Sequence, residues 1–213
     1  MVVKIENEAK KARVISYIDG FNLYFGLREQ GWRKYMWLDL TKLSASILLP
    51  NCELCHTKYF TSRIRGNIGK AERQGIFLDA LKGIPQLTIY YGRFQPDPKQ
   101  CQKCGHYAYH PQEKKTDVNI ATQLMCDAFH DCFDTALIIS GDADLVPPVQ
   151  AVRTLFPKKR IVIAFPPKRH SSELAGSAHS SLSIYEAKFR QSRLPETIAL
   201  PNGLSLSRPD KWK

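Results

Sequence analysis

The chain has 213 residues, 43% of them hydrophobic and 24% charged, with 31 Lys and Arg against 20 Asp and Glu for a formal charge of +11. That is the balance of an ordinary globular protein with enough apolar material for a full core, one domain being the default. No apolar run approaches the roughly 20 residues of a membrane helix, and the opening MVVKIENEAKKARV is charged where an export signal is apolar, so a cytoplasmic protein without a membrane partner is expected. The positive excess attracts polyanions and makes nucleic acid the expected partner, although part of it sits in end segments such as Lys10, Lys11 and Arg13.

After a charged leader over residues 1–12, ARVISYIDGFNLYFGLREQG predicts a strand, a turn at Asp19-Gly20 and a helix. LDLTKLSASILLP carries Leu40, Leu43, Ile47 and Leu48 at helical spacing and stops at Pro50; HTKYFTSRI predicts a second strand. GKAERQGIFLDALKGIP predicts a helix ending near Gly83, and QLTIYYGRF a third strand. PDPKQCQKCGHYAYHPQE fits neither period and reads as a loop inserted over 96–113. TDVNIATQLMCDAFHDC predicts a helix with Val118, Ile120, Leu124, Met125, Ala128 and Phe129 as its apolar positions and Thr116 or Asp117 as its cap. TALIISGDADLVPPVQAVRTLFP predicts a buried strand, an acidic turn and a helix, and RIVIAFPP a last buried strand. Strands alternating with helices imply an α/β domain over 13–193, a central parallel sheet flanked by crossover helices. Residues 194–213 are expected to form an extended tail.

Ligands of such sheets bind outside the carboxyl ends of the strands. Asp19 follows VISYI, Asp142 and Asp144 follow ALIISG, and Asp117 opens a helix entering from the same edge. Each has a bland reading: a turn residue for Asp19, a cap for Asp117, a tight turn plus cap for Asp142 and Asp144. Four carboxylates in one crevice, however, repel one another unless a cation neutralises them, and hard oxygen ligands suit Mg²⁺ or Mn²⁺.

YIDGFNLYFGL, EKKTDVNIATQLMCDA and LIISGDADLVPPV resemble the three signature segments of the NYN domain, a branch of the PIN-like nuclease superfamily. FPPKRHSSEL and RLPETI resemble its bacterial subgroup formerly filed as a domain of unknown function, so the likeness runs from about Arg13 to about Pro195. It implies a PIN-like, Rossmann-like three-layer fold. It also implies Asp19, Asp117, Asp142 and Asp144 as metal ligands, Asn22 as a polar helper and Ser140 as a residue shaping the acidic turn. The activity implied is that of a metal-dependent endoribonuclease, with single-stranded RNA as partner and substrate, single-stranded DNA as a further candidate, and a homodimer as a candidate assembly. Lys115 is the best placed residue to hold the phosphate backbone, ahead of Lys114, Arg63, Arg65 and Arg73. Phe21, Tyr24 and Phe25 are candidates for base stacking, with core the expectation for Phe21 and Phe25.

Six cysteines without an export signal argue for thiols or metal ligands rather than disulfides. Cys101, Cys104, His106 and His110, spaced C-x2-C-x-H-x3-H, are candidate ligands of a structural Zn²⁺, either alone or with Cys52 and Cys55 supplying the second half. Cys126 and Cys132 read as buried small hydrophobes, and His170 and His179 as ordinary residues. Two rival functions remain at this point: an RNA-binding module that does not cut, and a Mg²⁺-dependent phosphatase. The first is disfavoured by the intact acidic set, the second by D-G-F-N where a D-x-D pattern is expected.

Overall fold

The computed structural model describes residues 10–64, 66–100, 104, 105, 107–200 and 203–213. In chain order the elements are β1 (Ala12–Asp19), α1 (Gly20–Glu29), α2 (Leu40–Ile47), β2 (Cys52–Thr61), α3 (Ile68–Lys82), β3 (Leu87–Tyr91), β4 (Arg93–Gln100), β5 (Tyr107–Lys114), α4 (Thr116–Phe129), β6 (Thr135–Ile139), α5 (Val146–Leu155), β7 (Arg160–Phe165), α6 (Ser172–Ser177), β8 (Ser180–Ser183), α7 (Glu186–Gln191), β9 (Thr197–Ala199) and β10 (Ser205–Ser207).

Six strands form one parallel sheet in the order β3-β2-β1-β6-β7-β8. Both faces are buried, so β6 is buried throughout and apolar after Thr135, and alternate residues of β1 enter two different cores. Val14 and Ile18 pack with residues of α1, α2, α3 and α7, while Ile15 and Tyr17 pack with residues of α4, α5 and α6. Ser16, on the first face, is buried, and its Oγ accepts the Ser44 hydroxyl at 2.8 Å. Pro147 and Pro148 stand in the first turn of α5, where amides lack intrahelical partners. The three-layer α/β architecture expected from the pattern is the one found.

Several local expectations are corrected. The stretch read as a structureless loop forms an antiparallel ribbon of β4 with β5, Pro96 opposite Pro111. Pro96, Pro98 and Pro111 have no backbone donor, and a strand tolerates proline only on rungs whose nitrogen faces away from the partner strand. Neither Thr116 nor Asp117 caps α4; the cap position is Lys115, in the left-handed region at φ 81°. Val118 and Phe129 lie on the exposed side of α4, 65% and 73% accessible, and Cys126 and Cys132 are exposed rather than buried. The tail is not simply extended: β9 and β10 pair as a hairpin, and Trp212 is buried edge-on against Phe77.

At the amino edge of the sheet, Arg13 binds Asp134 through its backbone amide at 2.8 Å and through Nε and Nη2 at 3.2 and 2.8 Å. These bonds hold the Asp134 carboxyl at about 2, below the usual carboxylate range. A depressed carboxylate contributes stability above its unfolded pKa, near 3.9, and loses it as pH falls towards the folded value. Asp134 is 43% exposed, so screening keeps the contribution to about 1 kcal/mol. Asp134→Asn is therefore expected to lower unfolding free energy in urea by about that amount at pH 7, with the deficit vanishing between about pH 4 and 2.

Candidate metal centre

From β1 the chain steps outward through β2 to β3, and from β6 outward through β7 to β8. Loops leaving the carboxyl ends of β1 and β6 therefore diverge, and a crevice at such a reversal is the usual ligand position in an open parallel sheet. β1 ends on Asp19, and Asp142 follows the end of β6 by three residues.

Asp19 is 2% exposed and caps α1, its Oδ1 accepting the amides of Phe21 and Asn22 at 3.0 Å each. Its Oδ2 accepts Asn22 Nδ2 at 2.6 Å and the Ser140 hydroxyl at 2.8 Å. Ser140 Oγ accepts the Asp142 amide at 3.1 Å, and Asn22 Oδ1 accepts the Gly141 amide at 3.2 Å. Asn22 and Ser140 thus fasten the acidic turn to the end of β1. Burial raises the Asp19 pKa above the usual carboxylate value, and the neighbouring Asp142 charge adds to it, against hydrogen bonds that favour the ionised form. Every one of those donors is neutral, and among the described residues no side-chain cation is bonded to Asp19.

One carboxylate oxygen from each of Asp19, Asp117 and Asp142 lies within 4.8 Å of the others, and among the described residues this is the one cluster of three metal-ligating groups. Asp117, half-buried, is the second residue of α4, brought in by the ribbon that separates β3 from that helix. Asp144 does not join: it is exposed on a single 3-10 turn, its amide bonded to Asp142 Oδ1 at 3.1 Å. The donor set, all carboxylate oxygen with one member buried and uncompensated, fits Mg²⁺ or Mn²⁺ and not a soft ion.

Lys115, exposed, precedes Asp117 by two residues, and Arg63, exposed, lies over the Tyr91 ring at 5.1 Å. Arg65, Cys101 and His106 lie outside the described residues, as do the side chains of His110 and Lys114. Cys104 is exposed in the connection between β4 and β5. Cys52 and Cys55 are half-buried at the start of β2, the sheet edge opposite the acidic turn, with Cys55 the extra residue of a bulge between the pairs Val14–Leu54 and Ile15–His56. His179 Nδ1 accepts the Ile161 amide at 3.0 Å and His170 packs on Phe165, both structural roles.

Two features escaped the sequence. Gly20 must be glycine because a Cβ there would stand 2.7 Å from the Phe60 carbonyl oxygen and 2.8 Å from the Tyr59 ring. A cavity of about 230 Å³ lies between α1 and α3, lined by aromatic and aliphatic side chains together with Arg28, Lys70 and Arg73. Phe21 and Phe25, expected in the core, are half-buried and stack on one another, and Phe21 and Tyr24 line this cavity. The residues involved come from segments up to 192 positions apart, which no local pattern reveals.

The sequence profile of the NYN domain matches residues 13–185. A relative, 6-hydroxy-3-succinoylpyridine 3-monooxygenase HspA of Pseudomonas putida (strain DSM 28022 / S16), is 26% identical over 98% of this chain and 77% of its own length. The crystal structure of a protein of unknown function from Vibrio parahaemolyticus RIMD 2210633 superposes with a TM-score of 0.54 at 16% identity, over 83% of this chain and 95% of that one, a likeness of fold. The matched stretch takes in the acidic triad and the crevice between β1 and β6, and the chain belongs to the NYN domain family, with its PIN-like nuclease fold.

Proposed function

We propose that this chain is a Mg²⁺- or Mn²⁺-dependent endoribonuclease that hydrolyses phosphodiester bonds of single-stranded RNA, with single-stranded DNA as a second candidate substrate. The observation that carries the reading is the convergence of Asp19, Asp117 and Asp142 at the reversal of strand order, with the buried Asp19 carboxylate met, among the described residues, only by neutral donors. These three residues would hold the ion, which when bound supplies charge stabilisation at the scissile phosphate and an activated water. Asn22 and Ser140 are positioning residues that keep the turn of Asp142 against Asp19. Asp144 takes a supporting place at the rim, and Lys115 holds a backbone phosphate. Cys101, Cys104, His106 and His110 are proposed as a structural Zn²⁺ site steadying the ribbon, and the protein as cytoplasmic, with a homodimer as its candidate assembly.

The deciding experiment is cleavage of end-labelled single-stranded RNA with Mn²⁺, Mg²⁺ or EDTA. Cleavage in either metal and none in EDTA is expected. RNA bound but uncut in every metal would replace this reading with a binding module, and phosphate released from small esters with a phosphatase.

Lys115 permits a separation of stability from function. Its left-handed backbone at φ 81° costs a non-glycine residue roughly 1 kcal/mol, so Lys115→Gly is expected to stabilise the fold by about 0.5–1 kcal/mol. The same variant should bind RNA more weakly and reduce the slope of log affinity against log salt by about 0.7, the loss of one phosphate contact on a single strand. An unchanged slope in anisotropy titrations would remove Lys115 from the substrate path.

The aromatic cavity favours a second reading. The relative's name gives it 6-hydroxy-3-succinoylpyridine as substrate, and a cavity with aromatic walls and basic residues in its lining also suits a substituted pyridine bearing an anionic group. Binding of a pyridine carboxylate to the metal-free protein, without RNA cleavage in any metal, would favour it.

A further inference from the structure

The cavity between α1 and α3 shares its wall with the acidic cluster. Gly20, which lines it, directly follows Asp19, and Phe21, which also lines it, gives its amide to the Asp19 carboxylate. Tyr24, Tyr59, Phe77 and Trp212 supply further aromatic wall. At about 230 Å³ it exceeds the roughly 150 Å³ that suffices for a benzene ring in a dry engineered cavity, leaving room for a larger planar ring.

Its lining carries three cations, Arg28, Lys70 and Arg73, and none of them pairs with a carboxylate among the described residues. Arg28 instead stacks over Phe25 at 4.6 Å. A purely apolar ligand would leave these charges unused, and a bare phosphate would gain nothing from the aromatic wall. A nucleotide carries both a planar ring and an anion.

We infer that this cavity is the subsite for one base of the RNA substrate, with the adjoining phosphate held by Arg73 and Lys70, next to the bond to be cut. The inference rests on the nuclease reading and names the part of the site that grips the strand. Cleavage then depends on an unstacked base, which selects single strands over duplex.

The test is made on the full chain in EDTA, where nothing is cut, by fluorescence anisotropy of a short single-stranded RNA and of the same strand with abasic positions. The intact strand is expected to bind about ten-fold tighter or more, the worth of a stacked base. A Tyr24→Ala, Arg73→Gln double variant, its folding checked by thermal melting, should bind both strands equally and weakly. Equal affinity of the unmodified protein for intact and abasic strands would overturn the inference, a measurement independent of how the variant folds. So would tight binding of nicotinate with no base preference in RNA, which assigns the cavity to a small acid. Metal-dependent cleavage without base preference would remove this subsite alone; base preference without cleavage in any metal would keep it and remove the nuclease.

Discussion

Asp142→Asn is expected to reduce metal-dependent RNA cleavage on the order of 10³-fold and, in EDTA, to make the protein more stable than the parent. The two effects have one cause. Without an ion, Asp142 stands with an oxygen within 4.8 Å of oxygens of Asp19 and Asp117, and like charges at that separation repel by about 3 kcal/mol at an effective dielectric of about 20. Asp117 and Asp142 are only half-buried, so a net relief of about 1 kcal/mol is the realistic figure, or roughly 2–4 °C in Tm. Asparagine keeps Oδ1 as acceptor for the Asp144 amide, so the turn itself is not the source of the change. With Mn²⁺ present the order should reverse: the parent gains stability by binding the ion to its folded state, the variant gains little. Asp144→Asn provides the contrast. Being exposed and outside the cluster, it should leave the EDTA melting temperature unchanged and reduce cleavage by about ten-fold or less. If Asp142→Asn instead melted lower in EDTA while keeping the full Mn²⁺ shift, these carboxylates would not be the metal site.

The acidic triad was legible because its signals are local: an apolar run that stops on Asp19, another that stops before Asp142, and a helix that opens at Asp117. Parallel topology then places strand ends on one edge without further information. Asp144 was grouped with them because it follows the same strand and by the family resemblance; it stands exposed on the 3-10 turn over Ala143–Leu145 and is not one of the three carboxylates whose oxygens lie within 4.8 Å of one another. The ribbon was missed because pairing of β4 with β5 is non-local and its three prolines mimic a loop. β8 was missed for a different reason: Ser180–Ser183 is an exposed edge strand with no apolar alternation, held by pairing to β7. Cys126 has apolar neighbours in sequence, yet the buried line of α4 runs through Ile120, Leu124, Asp127 and Ala128 and leaves it outside. Asp127 on that line is the reverse case, a charge kept inside because Lys58 at 2.7 Å and the Tyr17 hydroxyl at 2.6 Å satisfy it.

Gly141→Ala should be among the most damaging single substitutions in the protein, and the reason lies in a contact rather than in backbone conformation, since Gly141 is not among the residues with positive φ. A Cβ at 141 would stand 1.8 Å from the carbonyl oxygen of Arg169 and 2.6 Å from its carbon. Both are backbone atoms, so no rotamer relieves the overlap, and the segment from Pro166 to Arg169 must move. That segment is also pressed on Gly26, where a Cβ would meet the Pro167 carbonyl at 2.5 Å, and it is tied to α1 by the Arg169–Glu29 ion pair. Displacing it pulls on α1 from one side and on the bond between the Gly141 amide and Asn22 from the other, and so moves Asp142 relative to Asp19. Overpacking against backbone on this scale is expected to cost about 3 kcal/mol or more, roughly 6–12 °C in Tm, with cleavage lost in proportion to the disturbed triad. Gly75→Ala in the middle of α3, where a Cβ meets nothing within 4 Å among the described residues, should instead stabilise by about 0.5–1 kcal/mol through the unfolded chain. Melting curves of the pair separate the two roles of glycine, and a Gly141→Ala protein that melts with the parent would mean that the segment over the acidic turn yields freely and does not help to hold Asp142 in place.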